Sequence, residues 1–80
     1  MKSDSLFLEH ILEAVTKIET YIHGQNLESF LANTEKQDAV IRQLEIIGEA
    51  TKRISLKTRE ENPKIPWSEM AGMRDKLIHD

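Results

Sequence analysis

The stretch that decides the fold is residues 35–54, EKQDAVIRQLEIIGEATKRI. Val40, Leu44, Ile47, Thr51 and Ile54 recur at alternating four- and three-residue steps, the period of one helix face. Ile41 and Gly48 widen one edge of that stripe, and Ile46 with Ala50 widens the other. Arg42, Glu45, Glu49, Lys52 and Arg53 gather on the far side. A stripe this wide predicts a central helix, about Glu35 to Ile54, that touches two neighbours. Gly48 costs up to ~1 kcal/mol in a helix interior, so its expected use is the close approach of another helix. Thr34 followed by Gln37 reads as a capping box at the start.

On the N-terminal side, Phe7, Ile11, Ala14, Val15, Ile18 and Ile22 share one face of a helix expected over about Asp4 to His23. Ser3, Asp4 or Ser5 can cap it, and Gly24 can end it by taking a positive φ. The connector NLESFLANTEKQ, residues 26–37, holds a short helical turn. Asn26 can cap that turn, with Leu27, Phe30 and Leu31 expected to pin it to the core. On the C-terminal side, SLKTREENPK (55–64) reads as a short polar helical turn ended by Pro63, and Pro66 suits the first turn of a last helix. No stretch alternates as a strand does. The expected fold is therefore all-α, an up-and-down helical bundle forming a single domain over residues 1–80.

Composition bounds the function classes. A chain of 80 residues buries only about 60% of the surface its unfolded form exposes, so a partner surface would help it. It has no cysteine, which removes disulfides and thiolate metal sites and fits a cytoplasmic protein. No run approaches the ~20 apolar residues of a membrane span, and the start MKSDSLFLEH lacks a signal-peptide core. The net charge of −3 argues against general or specific DNA binding. The charge is uneven, however. Residues 1–51 hold four basic and nine acidic side chains, whereas residues 52–76 hold seven basic and four acidic ones. A phosphate-bearing partner is expected at the C-terminal third, unless these are simply solvated mixed charges.

The segment MRDKLIHD, residues 73–80, adds two anomalies. On a wheel at 100° per residue, Trp67, Met70, Ala71, Leu77 and Ile78 form the apolar side of the last helix, and Arg74 falls inside it. A guanidinium there must pair with a carboxylate of the central helix, snorkel past Trp67, or face a polar cleft or interface. His79 lies about 140° around from Arg74 on a regular helix. One small ligand could meet both if the helix ends or distorts near His79, or if a two-fold copy completes the cleft. Otherwise His79 is a helix-end histidine interacting with the dipole. Trp67, beside Pro66 at a helix start, is expected in the core rather than as a base-stacking platform. His10 with Glu13, and Glu19 with His23, have helical spacing. With no further inward carboxylates, no metal site is expected there.

The stretch AVIRQLEIIGEATKRIS (39–55) followed by NPKIPWSEMAGMRDKLIHD (62–80) closely resembles the HepT-like toxins of the HEPN superfamily, and the resemblance spans essentially the whole chain. The family's signature is Arg-x4-His-x-Tyr, and Arg74 and His79 match its first two landmarks. The resemblance implies a HEPN-like, four-helix-type bundle and metal-independent cleavage of RNA by a homodimer, with no cofactor. It implies Arg74 and His79 as the catalytic pair, with Asp75 in a supporting role, and a minimal nucleotidyltransferase antitoxin as partner. In the family that partner silences the toxin by attaching AMP to the signature's tyrosine. That position falls one residue past Asp80, so no modifiable tyrosine is present; Tyr21, in the first helix, does not match it. The chain thus reads as a C-terminally truncated member that lacks the family's final segment. The alternative reading is a catalytically inactive helical module that docks a nucleotidyltransferase or a nucleotide.

Overall fold

The computed structural model describes residues 3–79, with the side chains of residues 3–73. The chain forms α1 (Asp4–Ile22), α2 (Leu27–Leu31), α3 (Thr34–Lys52), α4 (Leu56–Glu61) and α5 (Trp67–His79). No strand occurs among the described residues. Three long helices carry the architecture. Helix α3 packs against both α1 and α5, the two neighbours its wide apolar stripe predicts. Leu6 and Phe7 share a groove with Glu49 and Arg53, while Lys17 lies beside Gln43. Helix α1 therefore runs antiparallel to α3.

The core joins Phe7, Ile11 and Ala14 of α1 to Ile47 and Ala50 of α3, with Ile54 just beyond α3 and Trp67 opening α5. Ile18, Leu44, Ile46, Met70 and Met73 pack around it. Thr51, read as part of the apolar stripe, is fully buried. Its Oγ1 donates to the Ile47 carbonyl at 2.7 Å, which removes the cost of hiding a hydroxyl. Gly48 is buried on α3.

The helix ends differ from their sequence reading in three places. Asn33, not Thr34, caps α3: its Oδ1 accepts from Lys36 N at 3.0 Å. Starting one residue early frees Gln37, whose Nε2 reaches back to the carbonyls of Phe30 and Leu31, both at 2.9 Å. It thus satisfies the end of α2 rather than the start of α3. At the head of α1, Ser3 occupies the cap position without a side-chain cap bond. Asp4 instead crosses the molecule. Its carboxylate accepts from Ser55 N at 2.9 Å, from Ser55 Oγ at 2.6 Å, and from Thr58 Oγ1. These bonds, led by that from the Ser55 hydroxyl and joined by attraction to Arg59, hold its pKa below the ordinary 3.8.

Third, α2 is not pinned by its leucines. Leu27 and Leu31 are 73% and 62% exposed, and only Phe30 is half-buried. Local hydrogen bonds hold α2. Asn26 Oδ1 accepts from Ser29 N at 2.8 Å while Ser29 Oγ accepts from Asn26 N at 3.1 Å, a reciprocal capping box. Gly24 takes φ 75° after α1, the left-handed turn expected of it.

Candidate active site

Helix α5 carries Arg74, Asp75 and His79, and its start is firmly held. Trp67 is buried in the core, as expected, and its Nε1 donates to the Asn62 carbonyl at 2.9 Å. Ile65 N also reaches that carbonyl at 3.2 Å, and Met70 N bonds Pro66 O at 3.0 Å as the first helical turn closes. Pro66 has no N–H to leave unpaired at this point. Met70 and Met73 then seat the helix on the core. The sequence reading missed Met73. Its signal was present in the three-residue step from Met70.

The side chains of Arg74, Asp75, Leu77, Ile78 and His79 lie outside the described residues, as does Asp80. Their positions along the backbone are nevertheless informative. Arg74 falls between Trp67 and Met70 in angle about the helix axis, and both of those side chains turn to the core. Helix α5 stays α-helical as far as His79. Five residues of regular helix set the two about 140° apart.

The basic C-terminal third is partly absorbed by structure. Arg59 Nε donates to the Ile54 carbonyl at 3.1 Å, and its Nη2 donates to the carbonyls of Thr51 and Lys52 at 3.2 and 3.1 Å. A cation thus caps the end of α3, where carbonyls lack helical partners and the dipole is negative. Arg53 pairs with Glu49 at 3.4 Å and sits 5.9 Å over the Phe7 ring. Lys57 and Lys64 remain exposed on the approach to α5.

A groove of about 390 Å³ lies between α1 and α3, lined by Phe7, His10, Arg42, Glu45, Glu49 and Arg53 among others. Its charges are mixed, and no described residue of α5 lines it. His10 presents its ring edge-on to Phe7 at 6.0 Å. No group of three or more potential metal ligands occurs among the described residues. None of the described helices is long and apolar enough to cross a membrane.

Comparison with known proteins bears on this arrangement. The family described as ribonuclease HepT-like matches residues 11–80. A "Putative RNase" of Caldanaerobacter subterraneus subsp. tengcongensis is 44% identical over 80 residues, covering 100% of this chain and 71% of that protein. "Probable ribonuclease HepT" of Thermococcus cleftensis is 50% identical over 78 residues, 98% of this chain and 71% of that one. A Methanocaldococcus jannaschii protein named "Gamma-glutamylcyclotransferase and putative RNase" is 46% identical over 77 residues, 96% of this chain and 35% of its own length. No solved structure matches the chain.

Proposed function

We propose that this chain, which belongs to the ribonuclease HepT-like family, cleaves RNA, with Arg74 and His79 as the catalytic pair. The observation that carries the reading is the family match over residues 11–80, which includes both positions of the Arg-x4-His pair. RNA brings its own nucleophile, so the protein needs only proton transfer and charge stabilisation. The 2′-oxygen attacks the adjacent phosphorus, an O–P bond forms, and the bond to the 5′-oxygen of the next nucleotide breaks. The products are a cyclic phosphate and a free 5′-hydroxyl. His79, an imidazole that can both accept and donate a proton at neutral pH, takes the 2′-OH proton or supplies one to the departing 5′-oxygen. Arg74 keeps its charge at all working pH and offers a fork matched to phosphate oxygens. Asp75, beside it in sequence, supports the arginine's orientation. No metal ion takes part in this scheme.

The active species is a homodimer. The 140° separation on a regular α5 supports this, because a two-fold copy can bring the His79 of one subunit toward the Arg74 of the other. The whole acts as the toxin of a toxin–antitoxin pair, restrained by a minimal nucleotidyltransferase. The deciding experiment measures cleavage of a fluorescent RNA with EDTA present. Wild type cleaves. Arg74→Ala and His79→Ala each lose about 10²–10⁴-fold. Equal cleavage by wild type and both variants overturns the assignment.

A further inference from the structure

The groove between α1 and α3 continues past the hollow described above. A second hollow of about 250 Å³ follows it toward the C-terminal end of α1, and the two meet at His10 and Ile46. Gln43 lines the second one. The residue is 7% exposed, a depth of burial that glutamine seldom reaches. A buried amide normally has hydrogen-bond partners, yet Gln43 bonds to no described residue. Among the described residues, no side-chain nitrogen or oxygen that is sealed from solvent lacks a partner. The Gln43 amide is therefore not sealed. It opens into the hollow and offers both a donor and an acceptor.

Charge and shape select the occupant. Arg42, Arg53 and Lys17 are balanced by Glu13, Glu45 and Glu49. A balanced groove does not draw in a phosphate chain or an anionic lipid surface as a basic one does. It suits an uncharged group with donors and acceptors of its own, and a nucleobase is such a group. His10 is exposed, and its ring stands at 85° to that of Phe7, which gives a flat base an aromatic platform. The donor and acceptor of the amide match the amino group and ring nitrogen of adenine. Glu13, in the same hollow, accepts from an amino group and repels the carbonyl oxygen that guanine or uracil presents. Arg42 makes no ion pair or hydrogen bond with a described residue, which leaves its fork for a phosphate at the rim. No described residue of α5 lines either hollow, so the groove is distinct from the helix that carries Arg74 and His79.

We propose that the α1–α3 groove is a base-reading subsite for an unpaired adenine of the RNA, with Gln43 reading its edge and His10 stacking on its face. The proposal rests on the reading of the chain as a ribonuclease, and binding tests it without cleavage. Four 2′-O-methyl homohexamers, of A, C, G and U, lack the attacking hydroxyl. Each is titrated into the ¹⁵N-labelled 80-residue chain, with affinity read by fluorescence anisotropy and the Gln43 side-chain amide by NMR. The A oligomer is expected to bind about tenfold tighter than the U oligomer and to shift the Gln43 amide signal. Gln43→Leu, an apolar replacement of similar size, keeps the helical circular dichroism and brings the four affinities within about twofold of one another. Arg42→Ala weakens all four alike, because a phosphate contact carries no base identity. Should Gln43→Leu fail to fold, the wild-type amide signal and His10→Ala, at an exposed position, decide: His10→Ala is expected to weaken the A oligomer most. An unchanged preference in Gln43→Leu, or an amide signal that no oligomer moves, overturns the proposal. So does an amide signal moved by a mixed-charge helical peptide and by none of the oligomers, which assigns the groove to a protein partner. Cleavage of unmodified RNA is read separately. Cleavage without a Gln43-dependent preference removes this proposal and leaves the ribonuclease reading standing, whereas the preference without cleavage does the reverse.

Discussion

The two ends of α3 are held by different physics. At its C-terminal end, the apolar knot of Phe7, Ile47, Ala50, Ile54 and Trp67 is bound to a polar clasp of Arg59, Ser55, Thr58 and Asp4. Those contacts join residues as far apart as 4 and 58. At its N-terminal end, α2 is held by bonds within a dozen residues, from Asn26, Ser29, Asn33 and Gln37. Its two leucines stay in water. The difference shows where precision is needed. Helix α5, which carries the candidate catalytic pair, springs from the tertiary knot, whereas α2 is a connector specified by its own caps.

This contrast can be broken most severely at Trp67. Trp67→Ala removes a buried aromatic and the bond to Asn62, and should destabilise by about 3–5 kcal/mol, read by denaturant unfolding. Arg59→Met leaves the Thr51, Lys52 and Ile54 carbonyls without their cation, and a loss of about 1–3 kcal/mol is expected. A fall below 0.5 kcal/mol would mean that water serves those carbonyls equally well. At the other end, Asn26→Ala should cost about 0.5–2 kcal/mol, while Leu27→Ser should stay within about 0.5 kcal/mol. Gly72 offers a gain. It lies in α5 with open space around an added Cβ, so Gly72→Ala should stabilise by about 0.5–1 kcal/mol.

The clasp also makes the C-terminal end sensitive to acid. Asp4 titrates below its ordinary 3.8 in the folded chain. A depressed carboxylate contributes stability that is complete above its unfolded pKa and disappears as pH falls through the folded one. The thermal midpoints of wild type and Asp4→Asn should therefore differ at neutral pH and converge as pH drops below about 3.8. Parallel curves down to pH 2 would show that the carboxylate charge contributes nothing.

Much of this architecture follows from spacing. The α3 stripe identified the central helix and its two neighbours, and even placed polar Thr51 in the core, because position outweighs polarity once a hydroxyl can bond its own helix. Gln37 was misassigned because Thr-x-x-Gln fits a capping box whichever residue begins the helix, and only the tertiary meeting of α2 and α3 shows which carbonyls the amide finds. Asp4 was misassigned for a related reason: its partners lie more than fifty residues away. The leucines of α2 look like core because sequence records apolarity but not whether a neighbour arrives to cover it.

The sequence by itself determined the helical periods, the turn at Gly24, the break at Pro63 and Pro66, and the Arg-x4-His spacing on α5, since each is a property of adjacent residues. Tertiary structure alone decided that Asp4 clasps α4, that Arg59 closes α3, and that the α2 leucines stay exposed. Those outcomes depend on which surfaces meet when distant segments pack, and that choice is made by burial and unpaired polar groups across the whole chain.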